Sequence, residues 1–446
     1  MLVPKLIKST LMAVVFYLPL ASIGQEKEAS TQLLPLQTAI AAALSNNKDI
    51  QLADLDEKIA GAIYKQTDAI YLPQVDLSYT AMNTNNPLNA FGFKLQQKNI
   101  TQNDFNPILL NNPGGTTDFM TRLEVKQPLV NMDLLYMRKA ALQQINIYQF
   151  KKQRTNEYII LQVQQSYVQL QLAYQTIEVL QLALQNSKAI YTFTNNRFQQ
   201  GILQKSDALN AQVHIAAIES NLADTKSSVK NISDNISLLM GKTPGTIYTI
   251  PMPLQTNRLM DSTDKIADSR ADFAAMEQAI AASDLMIKSS KMSYLPKLNA
   301  FGSYQLNNNS IPGLGANAYL AGIQLSWNIF KGNAAKNKIS TQNLERDKLS
   351  KQLSEQKEQS QIELDKTNRQ LADAKFKIRQ YEVAIEQANE SLRILQNRYQ
   401  QGLVNTTDVL MAETQLSQQK LGFAQTIFSY NTTVAYLEFL TTATKK

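Results

Sequence analysis

The sequence predicts a mainly α protein with a membrane β-barrel part, and three observations carry that expectation. Two long stretches, from Asp133 to Phe198 and from Asn333 to Tyr399, contain no proline and keep a helical apolar period. Four short stretches instead alternate apolar and polar residues, the period of two that a strand with one apolar face requires. The third observation is duplication. "RFQQGILQKSDAL" from Arg197 returns as "RYQQGLVNTTDVL" from Arg398, and "YLP" occurs at Tyr71 and again at Tyr294. A large internal repeat is therefore the organising fact, with roughly 22 more residues between the "YLP" and the loop of the first copy than in the second.

Composition narrows the chemistry. The 446 residues suffice for two ordinary domains or one large repeat architecture. Cys 0 excludes disulfides, thiolate metal sites, a cysteine nucleophile and an acylated N-terminal cysteine, and His 1 removes most metal and general-base chemistry. The net charge of +7 is spread over Lys and Arg that alternate with Glu and Asp, which reads as solvated helix faces and not as a nucleic-acid patch. At the start, Lys5 and Lys8, an apolar run from Leu11 to Leu20, and Ser22 and Gly24 follow the order of a secretory signal over 1–24. That run is short of the roughly 20 residues a span needs, and no later segment approaches one, so membrane contact falls to strands or to an amphipathic face.

The first repeat is expected over 25–240. A helix runs up to "YLP", where the proline ends it, because proline lacks a donor and disfavours helix before it. Strands follow at about 74–82 and 118–129 around a polar loop, 83–117, and a helical hairpin fills 133–240. Val75, Leu77 and Tyr79 oppose Asp76 and Ser78 in the first strand, and Leu123 and Val125 oppose Arg122 and Glu124 in the second. A linker at 241–264 leads to the second repeat, 265–446, with strands at about 297–306 and 317–329 and a hairpin over 333–440. Within that hairpin Leu371, Ala374, Ile378, Tyr381, Ile385, Ala388, Leu392, Leu395 and Tyr399 step by three and four, a coiled-coil seam on a helix of about 100 Å. Gly201 and Gly402 can stop the helices in the left-handed conformation, and Ser206 or Asp207, and Thr407 or Asp408, can cap the returning ones.

Four strands with one lipid-facing side leave open edges, which hydrocarbon does not tolerate, so the chain must oligomerise to close a barrel. These features, with the strand-to-helix turns "QPLVNMD" from Gln127 and "WNIFKGN" from Trp327, resemble the TolC-like outer-membrane efflux proteins, the trimeric channel-tunnels of tripartite efflux or type I secretion systems. The resemblance implies a homotrimer with a twelve-stranded barrel in outer-membrane lipid and a helical barrel across the periplasm. It also implies docking to a periplasmic adaptor (membrane fusion) protein and an inner-membrane pump, with no cofactor, no nucleic acid and no catalysis. The loops then become periplasmic tips, with adaptor contacts at Gly201, Ile202, Asp207, Leu209, Gly402, Leu403, Asp408 and Leu410, and a constriction at Asp207, Tyr399 and Asp408. Asp408 matches a position that can supply an acidic ring, while Leu203, Val404 and Met411 stand where some relatives carry polar or charged groups.

His214 lies five residues from Glu219, off the spacing that aligns side chains on a helix face, and is read as structural. Tyr319 and Trp327 fit an aromatic belt at a bilayer interface. A metal-efflux or protein-secretion outlet of the same fold is the alternative within the class, and a non-conducting periplasmic coiled-coil scaffold the alternative outside it.

Overall fold

A computed structural model describes residues 31–256 and 265–443. The expected signal segment, 1–24, and the last residues of the expected linker, 257–264, lie outside the described residues. The elements are β1 (Thr31–Leu33), α1 (Leu36–Asn46), α2 (Lys48–Gln66), β2 (Gln74–Thr84), α3 (Pro87–Gln96), α4 (Pro107–Asn111), β3 (Thr116–Val130), α5 (Met132–Gln199), α6 (Lys205–Leu239), β4 (Ile247–Thr249), α7 (Ala271–Met292), β5 (Lys297–Asn308), β6 (Ala316–Ser326), α8 (Ala334–Gln400) and α9 (Thr406–Thr441). No helix among the described residues is long and apolar enough to cross a membrane.

The four long strands form one antiparallel sheet in the order β2-β3-β5-β6. Register sorts the side chains as period-two alternation requires. Leu77, Leu123, Tyr304 and Tyr319 stand side by side in one row, and in the next row, on the opposite face, stand Ser78, Arg122, Gln305 and Ala318. The apolar row is open to solvent in the single chain, with Leu77 at 73% and Tyr319 at 84% exposure. Each strand continues into or out of a helix, and the helices lie in the same order as the strands. Next to the sheet α5 packs between α2 and α7, and α8 packs on α7; farther away α5 packs between α6 and α9, and α8 packs on α9. Two helices of 68 and 67 residues thus run the full length, flanked by shorter ones stacked end to end.

The seam residues are the packed ones. Leu371, Ala374, Ala388, Leu392 and Tyr399 are buried, as are Leu170, Ala173, Leu180, Ser187 and Thr194 on α5. Midway along α5, the parallel pair β1–β4 and α1 build a belt whose core holds Leu34, Ile159, Leu170, Ile236 and Tyr248. Tyr174 fastens it by donating to the Tyr248 carbonyl at 2.7 Å.

Three sequence expectations need correction. First, α2 ends at Gln66, well before Pro73, and winds into a 3₁₀ turn over Thr67–Ile70. The guanidinium of Arg138 sits over the rings of Tyr64 and Tyr71 and pairs with Asp68, so a tertiary contact shapes this end as well as the proline. Second, the segment 83–117 is not a plain polar loop, since it folds α3, a 3₁₀ turn over Gln102–Phe105 and α4. Asn86 and Asn106 cap the two helices, each with proline in the first helical position, a pairing readable from the sequence. Third, the last strand stops at Ser326, so Trp327 lies beyond it, its indole donating to the Tyr294 carbonyl at 2.9 Å.

Candidate functional site: the paired helical tips

At the end opposite the sheet, α5 turns into α6 and α8 into α9 by two loops of one design. Gly201 and Gly402 hold φ of 75° and 77°. The amides of Gly201 and Ile202 donate to the carbonyls of Phe198 and Arg197 at 2.8 and 2.9 Å; those of Gly402 and Leu403 donate to Tyr399 and Arg398 at 3.0 and 2.9 Å. This is the pair of bonds that closes a helix on a left-handed glycine. A side chain at either glycine would meet no close obstacle, so it is the backbone angle that selects glycine.

The capping expectation is corrected in detail. Gln204 and Asn405 occupy the cap positions, and Asp207 and Asp408 sit three residues on. Their carboxylates reach back to accept the backbone N–H of Gln204 and of Asn405, each at 3.2 Å, and the Asn405 side chain accepts from the Asp408 amide at 2.9 Å. A carboxylate there also meets the positive end of the helix dipole.

The two tips sit side by side. Arg197 stacks on Phe193 and donates to the carbonyl of Gln400 at 2.8 Å, joining the end of α5 to the end of α8. Tyr399 is 4% exposed, and its hydroxyl lies 2.7 Å from that of Thr194 and 2.8 Å from that of Thr406. It therefore locks α5, α8 and α9 together from inside the chain's own core, and its expected place in a constriction is corrected. Leu410 is buried in the same core and offers no docking surface, whereas its counterpart Leu209 is 48% exposed. The two positions differ because α9 lies between α8 and α5 while α6 lies at the edge of the helical layer. Ile202 and Leu403 project at 62% and 67% exposure, and Asp207 and Asp408 are half-buried under their loops.

One buried acid lies just above the tip. Glu413 of α9 is 2% exposed, accepts from the Asn186 amide at 3.3 Å, and burial pushes its carboxyl above the ordinary range. Sequence reasoning passed over it, because a glutamate on a polar helix gives no sign of burial until the packing order is known. His214 lies half-buried on α6, where burial lowers its pKa and its Nε2 has no hydrogen-bond partner.

Comparison with known proteins agrees with this geometry. The sequence model of the family described as "Outer membrane efflux protein" matches residues 39–242 and 263–442. The cation efflux system protein CusC of Escherichia coli K12 is 24% identical over 268 residues, 59% of this chain and 54% of CusC, so the chain spans about half the length of the curated relatives it matches. Among solved structures, CusC superposes with a TM-score of 0.77 at 18% identity, covering 94% of this chain and 96% of that one. VceC of Vibrio cholerae gives 0.74 at 17% identity, covering 92% and 96%. CmeC of Campylobacter jejuni gives 0.76 at 15% identity, covering 97% and 93%. With the family's sequence model matched over both halves of the chain and the fold superposing on these TolC-like channels over more than nine-tenths of its length, the chain belongs to the outer membrane efflux protein family.

Proposed function

We propose that three copies of this chain close a twelve-stranded barrel in the outer membrane above a helical barrel that crosses the periplasm, each copy contributing two structural repeats. The assembly is the exit duct of a tripartite export system, receiving cargo from an inner-membrane pump through a periplasmic adaptor. The observation that carries this reading is the match between the two open edges. β2 continues into the α2/α6 side of the helical layer, and β6 into α8, so a neighbouring copy that satisfies the sheet edge satisfies the helical edge by the same rotation.

Strand alternation supplies the two solvents. The apolar rows meet lipid, and Asp76, Arg122, Glu124 and Gln305 line the water-filled side. Cargo moves passively, and opening or closing belongs to the tips, where Ile202 and Leu403 offer apolar knobs to an adaptor and Asp207 and Asp408 place negative charge near the axis. A metal-ion cargo is the second reading, favoured by the similarity to a protein named for cation efflux.

Planar-bilayer recording of the detergent-purified protein tests the proposal. Discrete conductance steps are expected, rare while the tips rest closed. A protein that leaves the cells without detergent and never conducts would replace this reading with that of a periplasmic scaffold.

A further inference from the structure

The insertion between β2 and β3 has no counterpart between β5 and β6, where a short turn suffices. It is anchored to one particular face of the sheet. Gln97, at the end of α3, donates to the Thr117 carbonyl and to the Asp118 carboxylate, both at 2.9 Å, and Asn307 of β5 donates to the other oxygen of Asp118 at 2.8 Å. Asp118 and Asn307 are 0% and 1% exposed, and by alternation both belong to the polar face that carries Arg122 and Glu124. Lys98 reaches farther, donating to Asn317 at the start of β6 at 3.1 Å. The insertion is therefore anchored at the outer end of the sheet on its polar side through Asp118, and Lys98 reaches round the rim to the β6 edge, where Asn317 stands in the row of the other face and donates to the Tyr304 hydroxyl at 3.2 Å.

Its own fold is fixed independently of the strands. Lys94 pairs with Asp104 at 2.6 Å, Asp104 accepts from the amide and hydroxyl of Thr101, and the rings of Phe91 and Phe105 meet edge to face at 5.8 Å. Yet it presents Leu88 (81%), Leu95 (54%), Phe105 (60%), Ile108 (73%) and Leu109 (47%) to solvent. The buried anchor at Asp118 ties the insertion to the face turned away from lipid, at the aqueous rim of the sheet. An apolar cluster of this kind in an aqueous mouth calls for a protein partner.

We propose that the partner is the same insertion of the neighbouring copies, and that the three insertions meet over the lumen as an outer cap, a size filter separate from the periplasmic tips. This rests on the trimeric-channel reading above. The insertion's reach to Asn317 places it at the β6 edge, where that reading brings the next copy, so the apolar faces continue an interface the barrel already requires.

The chain has Cys 0, which makes the test clean. Ile108→Cys, extracted in detergent and oxidised with copper–phenanthroline, should yield disulfide-linked pairs, with one thiol per trimer left free, whereas Leu77→Cys on the lipid face should not. As a second readout, Ser303→Cys on the polar face should react slowly with a bulky polyethylene-glycol maleimide added to intact cells. It should react at least about tenfold faster when 87–113 is replaced by a short turn. Absence of cross-links and unchanged labelling in a protein that is still trimeric and still conducts would overturn the cap and leave the channel standing. A chain that does not assemble would overturn both.

Discussion

Removing one hydroxyl at the tip, with Tyr399→Phe, should loosen the α8–α9 hairpin without emptying its core. The phenyl ring remains against Phe193, whose centroid lies 5.0 Å away, so the apolar packing is kept. Lost are the contacts to the Thr194 and Thr406 hydroxyls. Thr194 still donates to the carbonyl of Ile190 at 2.7 Å, but Thr406, 1% exposed, loses its partner inside the core. A hydrogen bond contributes about 1 kcal/mol net, and a buried hydroxyl left without a partner costs about 1–3 kcal/mol, so about 2 kcal/mol is expected in all. Local opening of the tip should become about 30-fold more frequent, since 1.4 kcal/mol is about a factor of ten. Hydrogen exchange of the amides over 401–408 reads this directly, because exchange there follows local opening. The first tip, where Phe198 stands in place of Tyr399, has no such lock, so amides over 200–207 should change less in the variant and exchange faster in the parent protein. Exchange over 401–408 within about twofold of the parent would refute the reasoning and return the loop's order to glycine and cap geometry alone.

Glu413→Gln should stabilise the protein at neutral pH. Burial raises the carboxyl's folded pKa above its unfolded value, Asn186 and Lys420 opposing the rise, so the charged form costs stability above the folded pKa. That cost fades as pH falls and is gone near about pH 4, where the unfolded acid also protonates; denaturation midpoints of parent and variant should converge there, and a constant gap across pH would contradict it. Asp408→Asn keeps an acceptor for the Asn405 amide while removing charge, so assembly should persist and the reversal potential in a salt gradient should move toward weaker cation preference; an unmoved potential removes Asp408 from the conducting path. Ile202→Asp together with Leu403→Asp should leave trimer and conductance intact and abolish adaptor capture by at least about tenfold, since both side chains touch little of their own chain and centrally placed apolar anchors carry most of an interface's affinity. Undiminished capture would move the docking surface elsewhere.

Periodicity made the long elements readable. The three-and-four spacing from Leu371 to Tyr399 marks residues that the structure buries or half-buries, because a helix of this length can hide only one stripe. The glycine loops were readable for a similar reason, since a left-handed angle leaves few residues to choose from. Tyr399 was misread because nothing in the sequence shows that its hydroxyl turns inward to Thr194 and Thr406. Leu410 was misread because matching the two tips by sequence assumes they share an environment. Helix order denies it: α9 is flanked on both sides and α6 on one. The helices within 83–117 were missed because their length is short and their apolar period weak, although Asn86-Pro87 and Asn106-Pro107 announce both starts. Asp118 gave no sign in the sequence, since its burial depends on a segment folding back across the sheet.

The central claim is that β2 of one copy pairs with β6 of the next until a ring closes. The most direct measurement is the native mass of the detergent-extracted protein. Three chains per particle, twelve strands in all, is the predicted result, and a particle of one or two chains would contradict it, because neither four nor eight strands close a barrel with an open lumen.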